Sequence, residues 1–190
     1  MKIIQKALRK FKAAKELSRN GNSDGLRKII LVGSPNVGKS MMFNCLTGAY
    51  VTVSNYPGTT VEVSEGKLRI GGEEFWVIDT PGTYSLFPIT EEERVTRNIL
   101  MKEKADAVVH VIDTKNLERM LPFTLQLIEA KLPVILALNI FDEAEDIGMK
   151  INLKTLEKIL KVPVIATVST TGRGIDMLKG RIEEYVRAAD

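Results

Sequence analysis

The sequence has few of the residues that cross-link a protein or fix it in a membrane. Its 190 residues include one cysteine, one histidine and one tryptophan, and aromatic residues make up 6% of the chain. The single cysteine, Cys45, excludes an intramolecular disulfide and is typical of a reducing compartment. No apolar run reaches the roughly 18 residues that a membrane-spanning helix needs, and the N-terminus lacks the apolar core and cleavage site of a signal peptide. The composition is that of one globular domain.

Charge is not in large excess over the whole chain, which has a net charge of +3. It is unevenly distributed, however. Residues 1–28 carry nine Lys/Arg and two Asp/Glu, a net of +7, so residues 29–190 have a net of −4. The basic character therefore belongs to the N-terminal segment and not to the remainder of the chain.

The N-terminal segment has the pattern of a basic amphipathic helix. Residues 20–25, NGNSDG, then break the helical pattern. We therefore predict a basic arm and linker over residues 1–27 and one domain over residues 28–190. A helix that docks on the domain, a frayed arm, and a contact with a membrane surface or an acidic partner all remain open for the arm. The apolar residues at helical spacing are Ile3, Ile4, Ala7, Leu8, Phe11 and Ala14.

The first chemical motif is a phosphate-binding loop. Residues 33–40, GSPNVGKS, fit G-x-x-x-x-G-K-[ST] and lie between an apolar strand pattern at 29–32 and a helical pattern at 41–46. Such a loop points backbone N–H groups at phosphate oxygens, and the helix N-terminus adds partial positive charge. Lys39 is expected to reach the β- and γ-phosphates, and the Ser40 hydroxyl to ligate Mg²⁺. We predict nucleotide contacts for Gly33, Ser34, Pro35, Asn36, Val37, Gly38, Lys39, Ser40 and Met41.

Two further stretches are predicted to sense the γ-phosphate. Residues 79–82, DTPG, follow a strand pattern, so Asp79 can hold Mg²⁺ at a strand end while the N–H of Gly82 approaches the γ-phosphate. Thr59 and Thr60 lie in a polar stretch between the first helix and the next strand. The Thr60 hydroxyl can complete the Mg²⁺ shell only while the γ-phosphate is present. An ordinary loop threonine is the alternative for Thr60.

The third motif, residues 139–142 with the sequence NIFD, predicts recognition of guanine. Asp142 can accept hydrogen bonds from the ring N–H and the exocyclic amine, and adenine offers neither donor there. Asn139 is expected to brace the loop and bond the base. Lysine usually follows this asparagine, and here the residue is Ile140. The alternative for Asp142 is a helix cap. A last stretch is expected to close over the base through backbone N–H groups: Ser169, Thr170 and Thr171.

From residue 28 onward, strand and helix patterns alternate. This alternation predicts an α/β P-loop GTPase fold with a mostly parallel six-stranded sheet, one antiparallel edge strand and helices on both faces. Gly71 and Gly72 predict a hairpin turn, and the ligand loops are expected at the carboxyl ends of the strands. Strands are predicted near residues 29–32, 61–70, 74–78, 106–112, 133–138 and 163–168, and helices near 39–47, 91–102, 117–130, 152–160 and 174–187. His110 falls in a strand, where a hydrogen-bonded buried histidine is expected.

The motifs resemble the G domain of the ferrous-iron transporter B family, FeoB, among the GTPases of the Era/Der/TrmE type. The resemblance covers about residues 28–187 and includes the apolar residue after Asn139. It implies GTP hydrolysis coupled to Fe²⁺ uptake at the cytoplasmic face of the membrane, with GTP or GDP and Mg²⁺ bound. It also implies a membrane transporter portion or a helical regulatory domain, outside this chain, as partner. The matching segments are residues 56–62, 79–86, 116–119, 124–127, 139–142 and 168–174.

The resemblance also implies how hydrolysis proceeds. Many GTPases place glutamine after the second switch glycine to orient water, and here that residue is Thr83. Several GTPases without this glutamine use bound K⁺, held by the phosphate-loop asparagine, here Asn36, and by carbonyl groups around residues 54–56. Loop shaping is the alternative for Asn36. The implied catalytic residues are Asn36, Lys39, Thr60 and Gly82.

Other functions share part of this motif set. A stand-alone regulatory or ribosome-assembly GTPase of the Era/Der type has the same phosphate loop and DTPG. It normally keeps lysine at the position of Ile140 and carries an RNA-binding domain, so we do not expect a nucleic acid partner. A switch module that binds GTP but hydrolyses it slowly is the third alternative.

Overall fold

The centre of the protein is a single sheet. The structure, a computed structural model, describes residues 25–48 and 51–188. Its seven strands over these residues are β1 Arg27–Val32, β2 Val51–Asn55, β3 Glu62–Ile70, β4 Glu73–Asp79, β5 Ala107–Asp113, β6 Val134–Asn139 and β7 Val164–Ala166. They are hydrogen-bonded in the order β2-β3-β4-β1-β5-β6-β7. The strands from β4 to β7 in this order pair in parallel, which confirms the predicted class of fold.

Helices connect the parallel strands. Within the described residues they are α1 Lys39–Thr47, α2 Glu91–Lys102, α3 Leu117–Glu129, α4 Phe141–Asp146, α5 Leu153–Leu160 and α6 Ile175–Arg187, and a short 3₁₀ turn spans Thr114–Asn116. Five of the six helices were predicted to within one or two residues at each end. The exception is α4, which has only six residues and so is too short to show a helical period. The predicted arm over residues 1–27 lies almost wholly outside the described residues.

The sheet has one more strand than the sequence predicts, and its antiparallel strand is not at the edge. β3 runs antiparallel to both β2 and β4, so β2 forms the edge. All five residues of β2 are exposed, so the alternation of Val51 and Val53 with polar residues does not mark a buried face. Its strand conformation comes from pairing with β3. The predicted hairpin between β3 and β4 is confirmed, with Gly71 and Gly72 at φ 56° and 88°.

The helices cover both faces of the sheet because successive side chains of a strand point to opposite faces. In β1, Ile29 and Leu31 pack with side chains of α1 and α6, whereas Ile30 and Val32 pack with side chains of α2 and α3. All residues of β6 are buried, as expected for a parallel strand with both faces covered. The carboxyl ends of β1, β4, β5 and β6 therefore meet at one edge of a rigid core.

His110 is a buried polar residue in the middle of this core. Its Nδ1 lies 3.0 Å from the Thr124 hydroxyl oxygen, and its ring contacts Phe123 edge to face with centroids 4.8 Å apart. Burial lowers the pKa of His110 to about 3. The unfolded chain binds a proton near pH 6.5 and the folded chain does not, so folding loses stability as the pH falls from 6.5 towards 3.

We expect this histidine to contribute a measurable acid sensitivity. Lowering the pH from 6.5 to 4.5 should reduce the free energy of unfolding by about 2–3 kcal/mol through His110 alone, at about 1.4 kcal/mol per pH unit. Urea unfolding of the wild type and of His110→Gln at several pH values measures the contribution of His110 to the pH dependence of the free energy of unfolding. The glutamine keeps a polar partner for Thr124 but does not titrate. Equal pH dependence in the two proteins would contradict the assignment.

Candidate nucleotide-binding site

The loop between β1 and α1 folds around a pocket of about 320 Å³. Asn36 and Gly38 have left-handed backbone angles, with φ 64° and 80°. A Cβ atom at Gly33 would lie 2.3 Å from the carbonyl oxygen of Val111. One at Gly38 would lie 2.4 Å from Nδ2 of Asn139, so neither glycine can carry a side chain in this conformation. The pocket is lined by Ser34, Pro35, Asn36, Gly38, Lys39, Ser40, Met41 and Gly82.

Two predicted residues of this loop shape the pocket without lining it. Gly33 is buried, and Val37 is a core residue at 1% exposure. The carbonyl oxygen of Val37 accepts a 2.8 Å hydrogen bond from Nδ2 of Asn139. The phosphate loop is thereby fixed to the end of β6, which carries the guanine motif.

Lys39 lies in the first turn of α1 and is almost completely buried. Its ammonium group donates to Oδ1 of Asp79 and to the carbonyl oxygen of Thr80, both at 2.5 Å. Asp79, at the end of β4, is 8% exposed, as is Lys39. The structure thus pairs the lysine with the carboxylate, and Ser40, the next residue of α1, lines the same pocket as Lys39. The two oxygen-bearing side chains suit Mg²⁺, which takes one or two protein ligands and completes its shell with phosphate oxygens and water.

The segment after Asp79 is bound to the phosphate loop. Thr80 donates from its N–H and its hydroxyl to the carbonyl oxygen of Leu31, and the N–H of Thr83 donates to the carbonyl oxygen of Gly33 at 3.0 Å. A Cβ atom at Gly82 would lie 2.8 Å from Cγ of Pro35, so the chain can pass this close only as glycine.

Thr83 directly follows Gly82, at the position where many GTPases carry glutamine. It is 1% exposed and donates its hydroxyl to the carbonyl oxygen of Ser85 at 2.9 Å. The hydroxyl therefore stabilises the local turn, and the threonine side chain is shorter than that of glutamine.

The structure does not bring Thr59 and Thr60 into the pocket. Thr59 closes a turn: its hydroxyl donates to the carbonyl oxygen of Tyr56 at 3.0 Å and accepts from the N–H of Val61 at 3.2 Å. This turn leaves Thr60 exposed at the surface. The sequence has no signal for that placement, because it follows from the pairing of β2 with β3.

Asn139 joins three parts of the site. It is 2% exposed, and besides its bond to Val37 its Oδ1 accepts hydrogen bonds from the Ser169 N–H at 3.1 Å, the Ser169 hydroxyl at 2.9 Å and the Thr167 hydroxyl at 3.2 Å. The carbonyl oxygen of Asn139 accepts from the hydroxyl of Thr114 at 2.6 Å. The asparagine therefore holds the phosphate loop and the loop after β7 against the end of β6.

Asp142 is the one residue of the described chain with a buried side-chain oxygen that has no hydrogen-bond partner. This atom is Oδ1. Buried acceptors are nearly always paired, and leaving one unpaired costs about 1–3 kcal/mol. A ligand that presents N–H groups to this carboxylate, as guanine does, fits the site.

Ile140 stands between Asn139 and Asp142 with a left-handed φ of 56°. Such an angle is rare for a β-branched residue and marks a strained backbone. In this conformation the chain passes from β6 directly into the first turn of α4, which carries Asp142.

The loop after β7 has one buried and two exposed residues at its predicted base-contact positions. Ser169 is buried and bound to Asn139, whereas Thr170 and Thr171 are exposed. The Sγ of Cys45, on α1, donates to the carbonyl oxygen of Ser169 at 3.2 Å. The sequence also did not point to Thr114. A polar residue directly after a parallel strand was the available signal for it.

A larger cavity, of about 710 Å³, opens between α4 and α5 around Phe141, Met149 and Leu153. It contains none of the predicted site residues. The phosphate-loop pocket is assigned by its chemistry, since only there do the lysine and the backbone of the loop converge.

The sheet order, the phosphate loop and the asparagine that joins it to the base side define an α/β P-loop GTPase fold. A family model described as Ferrous iron transport protein B, FeoB_N, matches residues 27–182. The chain belongs to this FeoB family, which confirms the resemblance seen in its motifs.

Curated relatives of the chain are also FeoB proteins. The chain is 44% identical over 164 residues to the Fe(2+) transport protein A/Fe(2+) transporter FeoB fusion protein of Porphyromonas gingivalis, covering 86% of this chain and 19% of that protein. It is 42% identical over 159 residues to the Fe(2+) transporter FeoB of Escherichia coli K12, covering 82% and 21%. The chain thus spans about a fifth of the length of these relatives.

Solved structures agree as well. The G domain of the T. maritima FeoB iron transporter matches with a TM-score of 0.78 and 43% identity, over 84% of this chain and 98% of that chain. The cytosolic domain of the same transporter in its GMPPNP form matches with a TM-score of 0.82 and 44% identity, over 85% and 63%.

These comparisons favour FeoB over the alternative of an Era- or Der-type ribosome-assembly GTPase, which is not retained. Within residues 25–48 and 51–188, no helix is long and apolar enough to cross a membrane.

Proposed function

We propose that this chain binds GTP with Mg²⁺, hydrolyses it slowly, and powers or regulates Fe²⁺ uptake by a FeoB-type membrane transporter from the cytoplasmic side. The observation that carries the proposal is the buried, unpaired carboxylate oxygen of Asp142 beside a phosphate loop that Asn139 fixes in place. GDP and GMPPNP forms of the related T. maritima cytosolic domain support guanine nucleotides as the ligands.

The phosphates would lie in the pocket formed by residues 34–41 and Gly82. Backbone N–H groups of the loop and the Lys39 ammonium group would bind the β- and γ-phosphates, for which Lys39 exchanges its present partners Asp79 and Thr80. Ser40 and Asp79 would hold Mg²⁺, which supplies neutralising charge at the phosphate oxygens. Thr60 would join this group only by moving from the surface, which suits a residue that reports the γ-phosphate.

Catalysis of hydrolysis would depend on positioning and charge, since Thr83 cannot act as glutamine does. Asn36 lines the pocket, and its amide oxygen suits a K⁺ ion. A monovalent cation there would stabilise the charge that develops between the β- and γ-phosphates. Carbonyl groups of residues 54–56 would complete this proposed K⁺ site only if the segment moved towards the pocket, because β2 is paired with β3 and the Tyr56 carbonyl oxygen accepts from Thr59.

The remaining parts of the proposal concern partners. Because the chain spans about a fifth of its curated relatives, the transporter portion or a helical regulatory domain would act on it from outside. The switch segments around Thr60 and Gly82 are the parts of the domain that would signal the bound nucleotide to such a partner.

Turnover measured in K⁺ and in Na⁺ tests the catalytic proposal. We expect a rate of roughly 10⁻⁴ to 10⁻² s⁻¹ without a partner, raised on the order of tenfold or more by K⁺ and not by Na⁺. Asn36→Ala should abolish the K⁺ effect and leave nucleotide binding nearly intact. Asn44→Ala, at an exposed asparagine of α1, is the matched control. A wild-type rate that does not depend on K⁺ would remove Asn36 from the catalytic residues.

A further inference from the structure

The helix that carries Asp142 is locally weak. α4 has six residues, and its N-cap, Ile140, makes no side-chain hydrogen bond to it within the described chain. Ile140 is also in the left-handed region, and Ala144 is the one buried residue of the helix. Helices this short are marginal without tertiary contacts. The position of Asp142 therefore depends on what holds α4 from outside.

One such contact comes from the loop after β7. The guanidinium of Arg173 donates two hydrogen bonds to Glu145 of α4, from Nη1 at 2.7 Å and from Nη2 at 2.9 Å. This two-point arrangement fixes orientation as well as distance. The hydrogen bond with Arg173 holds the pKa of Glu145 below its usual range, so the carboxylate is charged throughout the neutral pH range.

Arg173 is itself fixed to the loop that bears the base-side residues. Its carbonyl oxygen accepts from the N–H of Val168 at 2.9 Å, across a short antiparallel bridge. A Cβ atom at the next residue, Gly174, would lie 2.2 Å from the carbonyl oxygen of Ala166, so the chain is closely packed where it leaves the loop. The backbone of Arg173 thus stays in place while its side chain reaches α4.

The loop of residues 169–173 is therefore held at both ends. At its start, Ser169 is bound to Asn139, and at its end Arg173 is bound to Glu145. Thr170, Thr171 and Gly172 between them are exposed. The first contact joins the loop to β6, and the second joins it to the helix of Asp142.

We propose that Arg173 is a positioning residue for the guanine base. Its two-point contact with Glu145 holds the 169–173 loop and α4 together around Asp142, and thereby limits the rate at which bound guanine nucleotide dissociates. This inference rests on the proposed nucleotide-binding function. Arg173 would make no contact with the phosphates, so its effect on the dissociation rate should be the same for GDP and GTP.

Because the Arg173–Glu145 ion pair is exposed, its effect on nucleotide release can be distinguished from an effect on the stability of the whole fold. The side chains of Arg173 and Glu145 are 54% and 45% exposed, and exposed ion pairs contribute little to global stability. Local opening of a loop, however, can be far easier than global unfolding and responds to a single contact. Loss of the pair should therefore change nucleotide release while the melting temperature stays nearly the same.

Dissociation of fluorescent GDP and of a fluorescent non-hydrolysable GTP analogue, chased with unlabelled nucleotide, tests the proposal. We expect Arg173→Ala and Glu145→Ala each to release both nucleotides about five- to tenfold faster. The double variant should be no faster than either single variant, since both remove the same contact. Exchanging the charges, Arg173→Glu with Glu145→Arg, should slow release relative to the single variants but not to the wild-type rate, because a carboxylate at position 173 lies near the charge of Asp142. Arg173→Lys should restore the wild-type rate only in part, because lysine cannot form the two-point contact.

Arg181→Ala is the matched control. Arg181 also pairs with glutamates at the surface, Glu157 and Glu184, but neither pair involves the 169–173 loop. Release at the wild-type rate from Arg173→Ala, or the same acceleration in Arg181→Ala, would overturn the proposal while leaving the proposed function intact. A wild-type protein that binds no guanine nucleotide would overturn both.

Discussion

Replacing Lys39 with alanine is expected to lower the affinity for GTP by roughly 100- to 1000-fold. Hydrogen bonds to charged groups contribute about 1.5–3 kcal/mol each, and Lys39 is the ammonium group that lines the phosphate pocket. GDP should lose less, because one of the two phosphates that Lys39 reaches is then absent. Titration with fluorescent GTP and GDP analogues in the presence of Mg²⁺ measures both affinities.

The same substitution removes a buried partner of Asp79. Breaking a buried ion pair from one side costs about 3–5 kcal/mol, so folding must be measured alongside binding. Lys39→Ala combined with Asp79→Asn removes the uncompensated charge and should recover stability without recovering GTP affinity.

Lys28→Ala is the control for Lys39, since Lys28 forms an ion pair with Glu103 at 2.5 Å near the start of β1, away from the pocket. It should leave GTP affinity unchanged. If folded Lys39→Ala binds GTP within about twofold of the wild type, the pocket does not hold the phosphates.

Converting Asp142 to asparagine is expected to reverse the preference for the base. In the proposed site the carboxylate would accept from two guanine N–H groups, whereas an amide would present a donor to one of these guanine donors. GTP affinity should fall by a few kcal/mol, on the order of one or two unpaired polar groups. Xanthosine triphosphate, which carries an oxygen in place of the exocyclic amine, should bind better than to the wild type. Competition titrations with GTP, xanthosine triphosphate and ATP measure the change.

This substitution should not destabilise the fold. Oδ1 of Asp142 is buried without a hydrogen-bond partner in the described chain, so the unliganded wild type holds an unfavourable group at the proposed base site. Asp146→Asn, at an exposed position of the same helix, is the control and should change neither affinity nor stability. Unchanged GTP and ATP affinities in Asp142→Asn would show that the NIFD motif does not read the base.

Much of the fold could be predicted because its signals are local. Alternating buried strands and amphipathic helices gave the parallel sheet from β4 to β7, and Gly71 and Gly72 gave the hairpin. β2 and α4 could not be predicted in this way. The first is a five-residue strand exposed along its whole length, so its two valines mark no buried face, and it is held by pairing with β3. The second is shorter than two helical turns.

The candidate site also has parts that the sequence predicts and parts that it does not. The phosphate loop was predictable because one continuous segment carries the glycines, the lysine and the helix start. The position of Thr60 at the surface was not, since it depends on the turn that Thr59 closes with Tyr56.

By itself the sequence determined the class of fold, the family and the identity of the groups available to a nucleotide. Periodicity, turn residues and short motifs act within a few positions of the chain, so they can be read without the structure. Only the tertiary structure decided which groups meet: Lys39 with Asp79 across 40 positions, Asn139 with Val37 across 102, and Arg173 with Glu145 across 28. Such pairs form because the parallel strands bring their carboxyl ends to one edge, and no local pattern specifies their partners.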